Sequence, residues 1–168
     1  VVYATKKNLF KGVSDTEFAP NSEMTRAMLV TVLYRLENPK ENEKTHRFAD
    51  VADEAWYAEA VNWAAENGVI NGVSETAFAP NDNITREQMA AIIYRYAKLK
   101  GYDTEEISEL SDFTDTDKIS PYALDAVKWA NAAKLINGIS ETSISPKTTA
   151  TRAQVAEILM RFGENVVK

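Results

Sequence analysis

A fifteen-residue string that occurs three times constrains this chain more than any other feature. It reads Gly12-Val13-Ser14-Asp15-Thr16-Glu17-Phe18-Ala19-Pro20…Thr25-Arg26, then Gly72-Val73-Ser74-Glu75-Thr76-Ala77-Phe78-Ala79-Pro80…Thr85-Arg86, then Gly138-Ile139-Ser140-Glu141-Thr142-Ser143-Ile144-Ser145-Pro146…Thr151-Arg152. The glycines stand 60 and then 66 residues apart. A period of that size marks an array in which each unit is one supersecondary element.

The residues around the string identify the unit. After each Thr-Arg, apolar residues recur at i, i+3, i+4 and i+7: Leu29, Val32, Leu33, Leu36; Met89, Ile92, Ile93, Tyr96; Val155, Ile158, Leu159, Phe162. That is the buried stripe of an amphipathic helix. Thr85 with Gln88, and Thr151 with Gln154, have capping-box spacing; Met28 leaves Thr25 with a threonine cap alone. Upstream, Phe48-x-Asp50…Trp56 and Phe113-x-Asp115…Tyr122 lead into a second helix, predicted from about Glu54 to Asn67 in copy two. In copy three it starts at Ser120-Pro121, a cap followed by proline in the first turn. Trp63 and Trp129, with Tyr3 in copy one, sit deeper on the helical stripe and read as core. Gly68 is placed to end its helix in a left-handed conformation; Lys134 at the same place implies a looser end. Asn38 to Lys44 forms a polar linker leading to His46, the only histidine, read as solvated; a longer linker runs from Lys98 to Ser111.

Each repeat is therefore helix, glycine turn and loop, helix, and neither helix can hide its stripe alone. The expected fold is all-α, with repeats at 1–43, 44–108 and 109–168. Val1-Val2-Tyr3-Ala4 aligns with mid-helix tetrads of the later copies, so the natural protein is expected to continue upstream.

Composition narrows the function. With a net charge of −6 and no basic face, nucleic acid is not an expected partner. No apolar run reaches the length of a membrane span. Cysteine is absent, which removes thiolate chemistry. Acidic segments such as Asp112-x-x-Asp115-x-Asp117 lack the glycine and terminal glutamate of a calcium loop, so neither metal nor cofactor is expected. No pair of carboxylates is distinctively placed in all three copies, and an enzyme is not expected.

Arg26, Arg86 and Arg152 are the main candidates for binding. An arginine in a first helical turn opposes the helix dipole, at a cost of about 0.3–1 kcal/mol. Two readings account for it: a carboxylate receptor made of guanidinium and free helix N–H groups, or an ion pair with Asp50, Asp115 or Glu87. Arg35, Arg95 and Arg161, nine residues on, turn away from that face and read as surface or inter-repeat ion pairs. Asp50 and Asp115 could accept hydroxyls of a ligand or cap a helix. Trp56 and Tyr122 could stack on a flat ligand face. Gly12, Gly72 and Gly138 supply positive φ in the turn, compatible with lining a groove.

The combination Phe-x-Asp-Val…Trp-Tyr-x-x-Ala-Val…Gly-Val-Ile-x-Gly…Phe-x-Pro…Ile-Thr-Arg resembles the surface-layer homology (SLH) domain of bacterial cell-surface proteins. Copy two, Phe48 to Ala97, matches from end to end; copy three departs at Tyr122, Lys134 and Ile144, and copy one matches only from mid-helix onward. The resemblance implies a pseudo-threefold arrangement with a central helix bundle and grooves between repeats. It implies a non-catalytic anchor that holds a protein on the extracellular cell wall or surface layer. The partner it implies is an acidic cell-wall polysaccharide carrying a pyruvylated amino sugar. The family motif has an acidic residue at the fourth place of Thr-Arg-Ala-Glu; Met28, Gln88 and Gln154 stand there instead. The alternative reading is a protein-interaction or lattice module that self-associates.

Overall fold

The computed structural model describes residues 18–39 and 47–167; Tyr3, Gly12 and His46 lie outside them. The described chain is helical, as the repeat pattern predicts. It comprises α1 (Arg26–Glu37), α2 (Ala58–Glu66), α3 (Arg86–Leu99), α4 (Leu124–Ala132) and α5 (Arg152–Asn165), with short 3₁₀ turns at Thr116–Lys118 and Pro121–Ala123.

Local chemistry sets the helix starts. Thr85 and Thr151 form complete capping boxes with Gln88 and Gln154, and Thr25 caps the Met28 N–H alone. The other starts fall later than the sequence pattern suggests. Residues 53–57 are turns and α2 begins at Ala58; Pro121 opens a 3₁₀ turn that leads into α4. At the other ends, Gly68 (φ 67°) and Lys134 (φ 58°) take the same left-handed conformation, so copy three ends as tightly as copy two. Helix α3 runs through Leu99, into what the sequence suggested was linker.

The apolar stripes meet in one continuous core. Helix α1 packs on α2, and α3 on α4. Tyr34 meets Trp63 edge-on at 5.8 Å between ring centroids, and Tyr94 meets Trp129 at 5.3 Å in the equivalent place. Trp63 and Trp129 are buried, as expected of the deeper aromatics. Tyr96 and Phe162, 6.0 Å apart, carry the stripe across repeats, whereas Leu36 at the matching position is exposed.

The segments just before α1, α3 and α5 join the repeats into a cycle. The Met24 N–H donates to the Ala150 carbonyl (2.9 Å), Ala150 to Ile84 (3.0 Å), and Ile84 back to Met24 (2.8 Å). All three side chains are fully buried. Backbone groups in a dry core must be paired, so this closed ring sets which loop lies over which helix end. The bonds establish the cyclic order of the repeats.

Candidate ligand groove

The helix N-termini are not open anion sites. In α1 the Arg26 N–H donates to the Asp82 carbonyl (3.0 Å) and the Ala27 N–H to Pro80 (3.0 Å). In α3 the acceptors are Thr148 and Pro146; in α5 they are Ser22 and Pro20. Each repeat's loop thus caps the preceding repeat's helix, and the expectation of free N–H groups beside the arginines is corrected. A helix start leaves its first N–H groups without intrahelical partners, and these carbonyls supply them.

The first arginine of each repeat extends the same contact. Arg26 donates from Nε to the Phe78 carbonyl (2.9 Å) and from Nη2 to the Asn71 carbonyl (3.2 Å). Arg86 does the same to Ile144 (3.0 Å) and Asn137 (2.6 Å), and Arg152 reaches Phe18 (2.9 Å). The acceptors of Arg26 and Arg86 lie at the two ends of the neighbouring loop, and the planar guanidinium fork meets each with a separate N–H. Arg26 and Arg152 also stack on Phe78 and Phe18, 4.7 and 4.9 Å from the ring centroids. All three arginines are buried, and burial pulls each guanidinium below its ordinary pKa. Among the described residues, Arg26 and Arg86 form none of the ion pairs with Asp50, Asp115 or Glu87 weighed from the sequence; their hydrogen-bond partners are carbonyls. An arginine that opposes its own helix dipole is stabilised by the next repeat.

The two aspartates hold the same loops from the other side. Asp50 accepts the Phe78 and Ala79 N–H groups at 2.8 and 2.7 Å. Asp115 accepts those of Ile144 and Ser145, both at 2.9 Å, together with the Ser143 hydroxyl (2.8 Å). Burial alone would raise the Asp115 pKa, but these donors outweigh it and hold the carboxyl below its usual range. Neither aspartate makes a helix cap. Residues 78 and 144 are thereby clamped twice, by N–H to an aspartate and by carbonyl to an arginine.

Gly72 and Gly138 need glycine for lack of space and not for positive φ, which neither adopts. A Cβ on Gly72 would lie 2.2 Å from the Ser74 carbonyl oxygen and 2.7 Å from the Phe48 ring; on Gly138, 2.2 Å from Ser140 and 2.6 Å from Phe113. The absent side chain makes room for the loop's own backbone and for the aromatic of Phe-x-Asp.

Two grooves lie at repeat boundaries. The larger, about 450 Å³, is lined by Arg26 of repeat one, Asn71, Gly72, Val73, Gln88, Ala91, Ile92 and Arg95 of repeat two, and Tyr122 of repeat three. The smaller, about 330 Å³, is built likewise from Arg86, the 135–139 turn, Gln154, Glu157, Ile158 and Arg161. Nine residues along one helix do separate the two arginine sets. Arg95, however, faces the Arg26 of the preceding repeat, and Arg161 faces Arg86. Sequence spacing within one helix could not reveal this pairing. The clue was that both sets recur in register.

Tyr122 is held over the larger groove by Glu87, which has no acidic counterpart at Ala27 or Ala153. The Glu87 carboxylate accepts from Ser120 N–H and Oγ (both 2.9 Å), Lys147 Nζ (2.6 Å) and Tyr122 Oη (3.3 Å). Burial opposes its charge, yet Lys147 and Ser120 keep its pKa below the ordinary glutamate value. The Tyr122 hydroxyl is pushed up to about 12, first by burial and then by Glu87, with Arg26 and Arg95 acting in the opposite sense. It therefore stays a neutral donor and acceptor at the groove. Trp56, the counterpart of Tyr122, is 62% exposed and packs edge-on against Tyr57. Among the described residues, no cluster of three acids, histidines or cysteines could hold a metal, and no helix is long and apolar enough to cross a membrane.

The repeats thus follow one another in cyclic order, each Thr-Arg helix start clamping its neighbour's Phe-x-Pro or Ile-x-Pro loop. The S-layer homology domain family model matches residues 1–27, 47–90 and 112–156, and the chain belongs to that family. It is 40% identical over 156 residues to an amylopullulanase of Thermoanaerobacterium thermosulfurigenes, covering 91% of this chain and 8% of that one. To a surface-layer 125 kDa protein of Lysinibacillus sphaericus it is 32% identical over 162 residues, covering 94% and 13%. A cellulosome-anchoring protein of Acetivibrio thermocellus is 23% identical over 155 residues, covering 90% and 34%. The chain thus spans a small part of each of these relatives.

Proposed function

We propose that the chain is a non-catalytic module that anchors a surface protein outside the cell by binding an acidic wall polysaccharide, one carrying a pyruvylated amino sugar, in the grooves between repeats. The observation that carries this reading is the meeting of Arg26 and Arg95 in the larger groove. Two guanidinium groups from different repeats face one cavity, and no described carboxylate forms a salt bridge with either. In a chain of net charge −6, a local positive cavity is what would concentrate an anionic ligand. The ketal carboxylate would meet Arg95, whose fork can grip it in bidentate fashion, with Arg26 fixed beside it. Gln88 and the Tyr122 hydroxyl would bond sugar hydroxyls, and the Tyr122 ring would flank a sugar face.

Of the residues proposed from the sequence, Arg26, Gly72 and Tyr122 line this groove, and Arg86 and Gly138 line the smaller one. Asp50 and Asp115 support the reading only as clamps that shape the loops. Arg95→Gln is the direct test, because Arg95 has no bonded partner to strand among the described residues. Titration calorimetry against purified wall polymer should show at least a tenfold loss of affinity, and removing the ketal from the polymer should erase the difference. Unchanged affinity in the folded variant would sink the assignment.

A further inference from the structure

The two grooves share one plan but differ in charge. In the larger groove, Ala91 stands on the α3 face between Gln88 and Arg95. The equivalent residue of α5 is Glu157, which lines the smaller groove and is bonded to Arg161 through Nη2 and Oε1 at 2.5 Å. Arg161 also directs Nη1 toward the Leu135 carbonyl (3.5 Å), and Arg86 is taken up by Ile144 and Asn137. Among the described charged lining residues, the larger groove therefore has two arginines, and the smaller has two arginines and an acid. Among the described residues the smaller groove also has no lining aromatic, whereas Tyr122, held by Glu87, overhangs the larger.

The charges behind the walls do not reverse this contrast. Asp50 acts on Arg26 and Asp115 on Arg86 from equivalent positions, and Asp82 acts additionally on Arg26. None of these acids lines a groove.

We infer that Glu157 is an internal competitor, occupying Arg161 as a ligand carboxylate would, so that of these two grooves the larger is the stronger acidic-sugar site and the smaller is held back. This rests on the function proposed above and adds which groove acts and which residue decides it. An incoming carboxylate must displace Glu157 and then lie beside its charge. Each effect disfavours a second anion in a partly desolvated cavity, and together they weaken binding about tenfold. Exposed i,i+4 pairs are individually weak, so the block is a graded handicap and not a seal.

The amides of Gly72 and Gly138 report the two grooves separately. The probes are the methyl glycoside of a pyruvate-ketal amino sugar and its ketal-free counterpart, titrated into the ¹⁵N-labelled chain and followed by heteronuclear NMR. In the wild type, Gly72 should saturate at roughly tenfold lower ketal-sugar concentration than Gly138. Glu157→Ala should bring the Gly138 curve toward that of Gly72 and leave Gly72 in place, while Ala91→Glu should move the Gly72 curve to higher concentration. Saturation of both amides together in the wild type, or an unchanged Gly138 curve in Glu157→Ala, overturns the inference alone. Equal shifts from the ketal-free sugar, or none at either glycine from the ketal sugar, overturn the proposed function and this inference with it.

Discussion

Replacing Arg86 by alanine separates a ligand-binding arginine from a structural one. The wild-type side chain makes two charge-assisted bonds, to the carbonyls of Ile144 and Asn137 at 3.0 and 2.6 Å. Bonds of that kind are worth about 1.5–3 kcal/mol each when broken on one side. The Ile144 contact is buried and contributes in full; the Asn137 contact is partly buried, so water recovers some of its loss. Restoring a favourable first-turn residue returns about 0.3–1 kcal/mol of helix-dipole energy. The balance is a destabilisation of about 3 kcal/mol, measured as a lower urea midpoint at unchanged slope. Arg86→Lys should recover less than half, since an ammonium lacks the pre-organised planar fork whose Nε and Nη2 are aimed at the two carbonyls. Arg95→Ala should cost below about 1 kcal/mol, having no hydrogen bond to lose among the described residues. An Arg86→Ala variant as stable as Arg95→Ala would refute the loop-clamp argument.

Gly72→Ala should destabilise by about 3 kcal/mol, because its Cβ meets backbone oxygens that cannot move aside; a melting temperature equal to wild type would count against the crowding account. Lys134 sits at φ 58°, so Lys134→Gly should stabilise by about 0.5–1 kcal/mol, while Gly68→Ala should cost about 1 kcal/mol from φ alone. Calorimetry on both variants checks the opposite signs. Acid should weaken the fold through Glu87 and Asp115, whose folded pKa values lie below their ordinary 4.5 and 3.8. In that window the unfolded chain binds more protons, so their contribution is full above about pH 5 and is lost as pH falls through the depressed values. Urea midpoints from pH 7 to 3 should fall below about pH 4.5, less steeply in Glu87→Gln; a rise on acidification would contradict the sign.

Much of this architecture was legible because its causes are local. The capping boxes of Thr85 and Thr151 depend on a residue three positions away, and the buried stripes on neighbours within two turns. The fifteen-residue string established the repeats without any structure, and the left-handed end at Gly68 followed from glycine itself. The proposed groove is legible in the sequence only in part. Arg26, Gly72 and Tyr122 line it and are candidates by their recurrence, whereas the nine-residue spacing that sets Arg95 apart holds only for one helix taken alone.

What only tertiary structure decided is how one repeat meets the next. The guanidinium of Arg26 finds its acceptor 52 residues on, and that of Arg86 58 residues on, separations at which sequence spacing carries no directional information. Gly72 is glycine because Phe48 and the turn's own oxygens crowd it, and Asp50 is aspartate because two N–H groups of a later loop need an acceptor. The cyclic closure through Met24, Ile84 and Ala150 pairs backbone groups, which every residue type but proline offers equally, so side-chain identity could not foretell it. That closure brings Arg26 and Arg95 to one groove and sets Glu157 in the other.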